Sequence, residues 1–165
     1  MIIPWTLFVL AAAVAVTFGL LWQQGGTPDD ERAEVEKAAR GFVTALTNFS
    51  ADTIEVDATE IRSFAVGDFA EEAETFFGEE AIAAIKDAQA ESVGTIESLF
   101  IQDISEDQAS VFGVVSETVT NATLTDPRSD TLRLEVGMIK TPSGWKVNRV
   151  DVFQAPGAEI VPGAP

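Results

Sequence analysis

The chain lacks the side chains that most often carry out catalysis. It contains no His, no Cys and no Tyr, which removes the commonest general bases, nucleophiles and transition-metal ligands together. Carboxylates, Ser, Thr, Lys and Arg remain. Two carboxylates can share acid and base work, as in glycoside hydrolysis, but only when their surroundings separate their protonation states.

Close sets of carboxylates occur in the middle of the chain: Glu71, Glu72 and Glu74, and then Glu79 and Glu80. Both sets fall on the polar side of stretches with helical spacing, where water solvates the charge. A third group, Asp103, Glu106 and Asp107, lacks the alternating ligands and central Gly of a calcium loop and favours a hairpin turn. We therefore expect no catalytic residue, no metal site, no cofactor and no enzyme activity.

The charge of the chain is strongly acidic and unevenly placed. The 165 residues carry 27 acidic and 10 basic side chains, for a net charge of −17. Residues 51–107 hold sixteen acids and two bases, whereas residues 108–153 hold five of each. Binding to nucleic acid or to anionic lipid headgroups is disfavoured, because each depends on clustered Lys and Arg. The acidic half is interpreted as a solvated helical surface.

One uncharged stretch near the start predicts a membrane anchor. Ile2 to Trp22, IIPWTLFVLAAAVAVTFGLLW, carries no charged side chain, and the first charge is Asp29. At about 1.5 Å per residue such a helix spans roughly 30 Å, the thickness of the hydrocarbon layer. A cleavable signal peptide would need a basic start and a small-residue cut site, and neither is present. Residues 1–26 are therefore predicted to be an uncleaved transmembrane signal anchor and hinge.

One sequence feature argues against an extracytoplasmic location for the rest of the chain. No Lys or Arg precedes the anchor, whereas Arg32, Lys37 and Arg40 follow it. Taken literally, this count places the C-terminal domain in the cytoplasm. The resemblance described below favours instead a single-pass protein of the plasma membrane whose C-terminal domain is extracytoplasmic.

Residues 27–153 are predicted to form one α+β domain, and residues 154–165 a disordered tail rich in Pro and Gly. A helix is predicted over 28–47, with Thr27 as its cap and Pro28 in its first turn. Further helices are expected within 50–64, from a capping box at Asp68 and Glu71, and over 79–90. Four antiparallel strands follow, beginning near residues 92, 111, 132 and 145.

The clearest alternation in the sequence lies in the third predicted strand. Leu132, Leu134, Val136 and Met138 should face the core, with Arg133, Glu135 and Gly137 on the opposite face. Replacement of Leu134 is the natural test of this register. The fold class is therefore α+β, with helices packed on a four-stranded antiparallel sheet.

Four segments, in this order and spacing, resemble the Mce-associated membrane proteins of actinobacteria: ARGFVTALTNFS (39–50), VGDF (66–69), AQAESVGTIES (88–98) and WKVNRVDVF (145–153). That resemblance implies a nuclear-transport-factor-like, cystatin-type domain with a curved sheet, a fold also seen in VirB-type assembly subunits. It also implies an accessory protein that supports an Mce-type lipid import complex through protein contacts. Two alternatives stay open: a lipid or steroid carrier of the same fold, and a VirB-type assembly factor of a conjugation system.

The candidate partner surface is the charge-balanced sheet. Arg133, Arg149 and Trp145 are its candidate residues, because Arg and aromatic side chains are enriched in interface cores and acids are depleted there. Burial of Trp145 in the core is the rival interpretation for that residue. The expected partners are Mce-type transporter subunits, and a homo-oligomer is a further option.

Overall fold

The computed structural model describes residues 28–154. The predicted anchor and hinge (1–26), Thr27 and, apart from Gln154, the predicted tail lie outside these residues. Between residues 28 and 154, no helix is long and apolar enough to span a membrane. The second of the chain's two compact units begins at Glu34, within the first described helix, and holds all the packing described below.

Four helices and five strands make up the described residues. In chain order they are α1 (Pro28–Thr47), β1 (Phe49–Ser50), α2 (Ile54–Phe64), α3 (Asp68–Phe76), α4 (Glu79–Asp87), β2 (Glu91–Ile104), β3 (Gln108–Thr120), β4 (Arg128–Thr141) and β5 (Gly144–Gln154). The predicted end of α1 at Thr47 is confirmed, and its predicted start, Pro28, is the first residue that the structure describes. The structure therefore has the α+β plan predicted from the change of residue period, with helices first and a sheet after them.

Helix α1 is amphipathic, and its apolar side enters the core. It begins at Pro28, where a missing N–H costs no helical hydrogen bond, and three acids occupy its first turn. The side chains it buries recur at helical spacing: Val35, Ala39, Phe42, Val43, Ala45 and Thr47. This single apolar stripe, rather than intrinsic propensity, is what stabilises the helix.

The capping box predicted at the start of α3 is wrong. Asp68 is the first helical residue, the N-cap is Gly67 with φ of 58°, and no side chain caps the helix. A positive φ of this size is open to Gly at little cost, which explains why Gly stands there. The preceding turn is held instead by a backbone bond from the Val66 N–H to the Val147 carbonyl at 2.8 Å.

The sheet has five antiparallel strands in the order β1-β2-β3-β4-β5, not the four that were predicted. The additional strand is β1, in which Phe49 pairs with Ser92 and Ser50 with Glu91. Two residues are too few to show an alternating pattern, so β1 could not be predicted. Register shifts in β2, between Ile96 and Ser98 and between Ile101 and Asp103, mark bulges that bend the sheet.

One apolar cluster joins the helices to the sheet. Phe42 of α1 meets Phe64 and Phe69 edge to face, with ring centroids 5.9 Å and 5.5 Å apart. From β4 the cluster receives the four side chains predicted for it: Leu132, Leu134, Val136 and Met138, each at most 7% exposed. The predicted register of β4 is therefore confirmed, and the side of the sheet that carries these residues is called the inner face.

Candidate interaction surface

The outer face of the sheet, opposite the inner face, carries the two arginines predicted for a partner surface. Successive side chains of a strand point to opposite faces, so Arg133 and Glu135 lie on the outer face of β4. Along β4, Arg133 pairs with Gln154 and Gly137 pairs with Arg149. The two arginines are thus exposed on one surface, and the position of β4 that pairs with Arg149 is four residues from Arg133.

Arg149 is held by two carboxylates. Its Nη2 lies 3.1 Å from Oε1 of Glu135, and its Nε lies 2.9 Å from Oδ2 of Asp151. The Arg149 side chain is 61% exposed, so water screens these pairs and each stabilises the fold only slightly. Their main effect is to hold a planar guanidinium flat on the outer face, where it can meet a partner.

Trp145, the third predicted residue, lies elsewhere. It is 5% exposed and belongs to the apolar cluster on the inner face. Burial in the core, the alternative given for this residue, is therefore correct. Lys140 pairs with it across the hairpin and places its Nζ 5.8 Å from the indole centroid. The indole N–H is buried and finds no acceptor within residues 28–154, which ordinarily costs about 1 to 3 kcal/mol.

Three phenylalanines on the outer face were missed by the sequence analysis. Phe100 of β2 pairs directly with Phe112 of β3, and the Phe112 ring lies 6.2 Å from that of Phe153 in β5. Phe100 is 59% exposed and Phe153 is 63% exposed. We call Phe100, Phe112 and Phe153 the outer aromatic row. Its sequence signal was present, since three successive apolar residues, Leu99 to Ile101, must place one on the outer face.

The acidic helices carry solvated charge. Glu71, Glu72, Glu74, Glu79 and Glu80 are all exposed on α3 and α4. Within residues 28–154, no three His, Cys, Asp or Glu side chains come together in a way that could hold a metal ion. Asp103 and Asp107 flank the β2–β3 turn, in which the Ser105 N–H donates to the Gln108 carbonyl. Asp103 also lines a groove of about 240 Å³ together with residues of β3, β4 and β5. The glutamates of α3 and α4 have the arrangement of a solvated surface.

The titration of Glu55 is shifted, for a structural reason. The ammonium of Lys86 in α4 donates a hydrogen bond to Oε1 of Glu55 in α2. This bond, together with the positive charge, lowers the pKa of Glu55 below its ordinary value of 4.5. Both side chains are largely exposed. The pair therefore joins two helices and has none of the burial that a catalytic carboxylate requires.

The space between helix and sheet is filled by side chains. Phe42, Val111, Leu134 and Met138 meet there with at most 1% of their surface exposed. A carrier of this fold would need an open cavity at that place, because apolar ligands bury most of their surface. The packing argues against the carrier alternative at this position.

The sequence is similar to that of a mycobacterial protein. No protein-family model matches the chain. The protein called outer membrane protein Rv1973 in Mycobacterium tuberculosis strain H37Rv is 32% identical over 114 residues, which cover 67% of this chain and 71% of the relative. The protein called outer membrane protein MT2024.1 in strain CDC 1551 matches to the same extent.

Several solved structures share the fold. VirB8 of Agrobacterium tumefaciens superposes with a TM-score of 0.62 at 13% identity, over 82% of this chain and all of that one (100%). An IcmL-like type IV secretion system protein of Legionella pneumophila gives 0.61 at 12% identity, over 80% and 98%. A nuclear transport factor 2-like protein of Salmonella enterica gives 0.57 at 12% identity, over 84% and 100%. The expected nuclear-transport-factor-like fold is confirmed, while the expected Mce association stays a prediction.

Proposed function

Because the chain belongs to the family of the Mycobacterium tuberculosis protein called outer membrane protein Rv1973, we propose that it is a non-enzymatic protein of the cell envelope that assembles a larger complex. The observation that carries this proposal is the outer aromatic row. Phe100 and Phe153 are large apolar side chains, each more than half exposed on the outer face of the sheet. Exposed apolar patches with a polar rim are typical of protein contacts.

The composition of the outer face matches that of binding hot spots. Aromatic residues and Arg dominate such centres, because they combine large contact area with directed hydrogen bonds. The outer face supplies three Phe side chains together with Arg133 and Arg149. The acidic helices, by contrast, expose the Asp and Glu that interface cores avoid. The sheet is therefore the contact surface that we propose, and the acidic helices are its solvated back.

The solved structures that share the fold support the partner class that we propose. VirB8, the IcmL-like protein and TrwG of Bartonella grahamii are components of type IV secretion systems or their relatives by name. These similarities favour a VirB-type assembly role over a carrier role. The sequence resemblance to Mce-associated proteins supports a second partner, an Mce-type lipid importer. In both cases the domain acts through protein contacts in the envelope.

The absence of an enzyme activity is part of the proposal. A chain without His, Cys or Tyr has to catalyse with carboxylates, Ser, Thr, Lys or Arg, and the exposed acidic groups lack the burial that tunes such residues. The filled interior supports the same interpretation, because it leaves no enclosed space for a substrate between Phe42 and Leu134.

Co-purification from envelope membranes tests the contact surface. The full chain is extracted in mild detergent from its own organism, and the proteins that accompany it are identified by mass spectrometry. Phe100→Ser with Phe153→Ser should remove the partner, and Arg133→Glu with Arg149→Glu should weaken it. The matched control changes Glu71, Glu72 and Glu74 to Gln and should leave the partner bound. Loss in the control alone would make the acidic helices the interface.

The identity of the co-purified proteins separates the two partner classes. Secretion-type subunits would support the VirB-type role, and Mce subunits would support the import role. Recovery of the chain with no partner, in parent and variants alike, would refute assembly as its function. Melting temperatures of all variants should stay near that of the parent, because the substituted side chains are exposed and the ion pairs of Arg149 stabilise the fold only slightly.

The proposed location of the domain is extracytoplasmic. The relative's name, an outer membrane protein, and the similarity to a periplasmic fragment of TraM support this side. Protease added to intact spheroplasts should digest the domain. Protection that is lost only on lysis would place it in the cytoplasm, as the count of Lys and Arg around the predicted anchor suggests.

A further inference from the structure

A groove lies on the side of the domain away from the outer aromatic row. It runs between α1, the end of α2 and the β4–β5 hairpin, and its volume is about 470 Å³. Its apolar part is formed by Ala38, Gly41, Phe64 and Trp145. This volume falls within the range of about 300 to 1,000 Å³ found for small-molecule sites.

Trp145 forms part of the wall of this groove. An indole nitrogen can only donate, and the buried N–H of Trp145 finds no acceptor within residues 28–154. Because this nitrogen is inaccessible, a ligand in the groove would meet the remainder of the Trp145 side chain and not its N–H. Trp145 therefore adds apolar surface to the groove and provides a fluorescent reporter there.

The charges around the groove are mostly positive. Lys37 and Lys146 line it together with one carboxylate, Glu34, and Lys140 holds its Nζ 5.8 Å from the Trp145 ring centroid. Two of the four lysines of a chain with net charge −17 therefore line this groove, and a third lies over the ring of its tryptophan. The Nζ of Lys146 donates to the Ser63 carbonyl at 2.7 Å, which leaves two of its three N–H donors for a ligand.

We propose that this groove binds an amphipathic phosphate monoester. Its phosphate oxygens would accept from the Lys37 and Lys146 ammonium groups, while its apolar part would lie on Ala38, Gly41, Phe64 and Trp145. A phosphate group suits the site because it offers several charged acceptors to donors that come from different directions. The ester can come from a lipid headgroup or from a free phosphate compound.

Fluorescence of Trp145 tests the site directly. In the full chain carrying Trp5→Phe and Trp22→Phe, Trp145 is the one remaining tryptophan, so its emission reports on the groove. Dihexanoyl phosphatidic acid should change this emission saturably. Dihexanoyl phosphatidylcholine, whose headgroup has no net charge, should leave it unchanged. Inorganic phosphate is the third titrant, because it presents the anion without an apolar part.

Variants of the lysines decide whether the response comes from the groove. Lys37→Gln with Lys146→Gln should weaken phosphatidic acid binding about tenfold or more, since two charge-assisted donors are lost. Lys86→Gln is the matched control, because Lys86 pairs with Glu55 elsewhere, and it should bind as the parent does.

The three titrants distinguish the sources of the phosphate. Saturation by phosphatidic acid alone assigns the site to a lipid headgroup, and saturation by inorganic phosphate as well shows that a free phosphate compound also serves. No saturable response to either one, or equal binding by the Lys37 and Lys146 variant, would overturn the proposal. None of these outcomes depends on the outer aromatic row, so the proposed assembly role is tested independently.

Discussion

Leu134 is the most direct test of how single residues hold this fold. Its side chain is 0% exposed at the middle of β4. Leu134→Ala should therefore lower the free energy of unfolding by about 2 to 5 kcal/mol, because it removes apolar contacts and leaves a cavity. Urea unfolding followed by circular dichroism measures the change. Thr95→Ala, at an exposed position of β2, should stay within about 0.5 kcal/mol of the parent.

Glu55 gives a second test at the residue scale, through its titration. Its pKa is lowered by the hydrogen bond and charge of Lys86, so the pair stabilises the fold above pH 4.5 and this contribution is lost as the pH falls through the folded-state pKa. Lys86→Gln should return the pKa of Glu55 toward 4.5, measured by the carboxyl carbon shift in an NMR titration. Lys37→Gln should leave the pKa lowered; equal values in parent and Lys86→Gln would contradict the pairing.

Single residues were predicted from sequence where a pattern repeats and missed where it breaks. Leu134 was placed correctly because the residues two positions before and after it are also apolar. Phe100 was missed because Leu99, Phe100 and Ile101 were all assigned to one strand, and no side of the sheet was assigned to any of them. Trp145 could go to either face by composition, and its burial depends on α1, which lies about a hundred residues earlier in the chain.

At the scale of elements, α1 and β2 meet at a close contact that requires Gly94. A Cβ at this position would lie 2.5 Å from the Thr47 Cβ. The side-chain amide of Asn48 both donates to the Gly94 carbonyl and accepts from the Gly94 N–H, each at 3.2 Å. The end of α1 is thereby joined to the sheet in the manner of a short strand pair, and β1 follows directly.

Gly94→Ala should destabilise the protein by about 1 to 3 kcal/mol, because the added methyl group overpacks this contact. Thermal unfolding gives the measurement. If the clash is with Thr47, then Gly94→Ala combined with Thr47→Gly should cost less than the two single changes added together, since residues in contact are not independent. Simple additivity would show that the strain lies elsewhere.

Elements with a long, regular pattern were predictable, whereas short connections were not. The extent of α1 follows from its Pro and its apolar stripe, both of which are local. The pairing of β1 depends on Ser92, more than forty residues later, and the cap of α3 depends on a backbone bond to Val147. Such long-range partners leave no local periodic signal.

At the scale of the whole molecule, the apolar cluster joins side chains that range from Val35 to Val150. Residues 28–154 expressed alone should therefore fold cooperatively, with no metal and no disulfide, since the chain has no Cys. A sigmoidal urea transition, unchanged by a chelator or a reducing agent, is the expected result. A gradual transition with no folded baseline would mean that the residues outside this range are needed for folding.

The bends in β2 have a consequence for solubility. Beyond its two residues paired with β1, the strand runs for twelve more residues along the border of the sheet. A long flat border of this kind recruits strands from other molecules and starts aggregation. The bulges near Ile96 and Ile101 interrupt its regular spacing, and Glu97 and Asp103 add exposed charge beside them. The irregularities that curl the sheet therefore also protect the domain from fibre-like self-association.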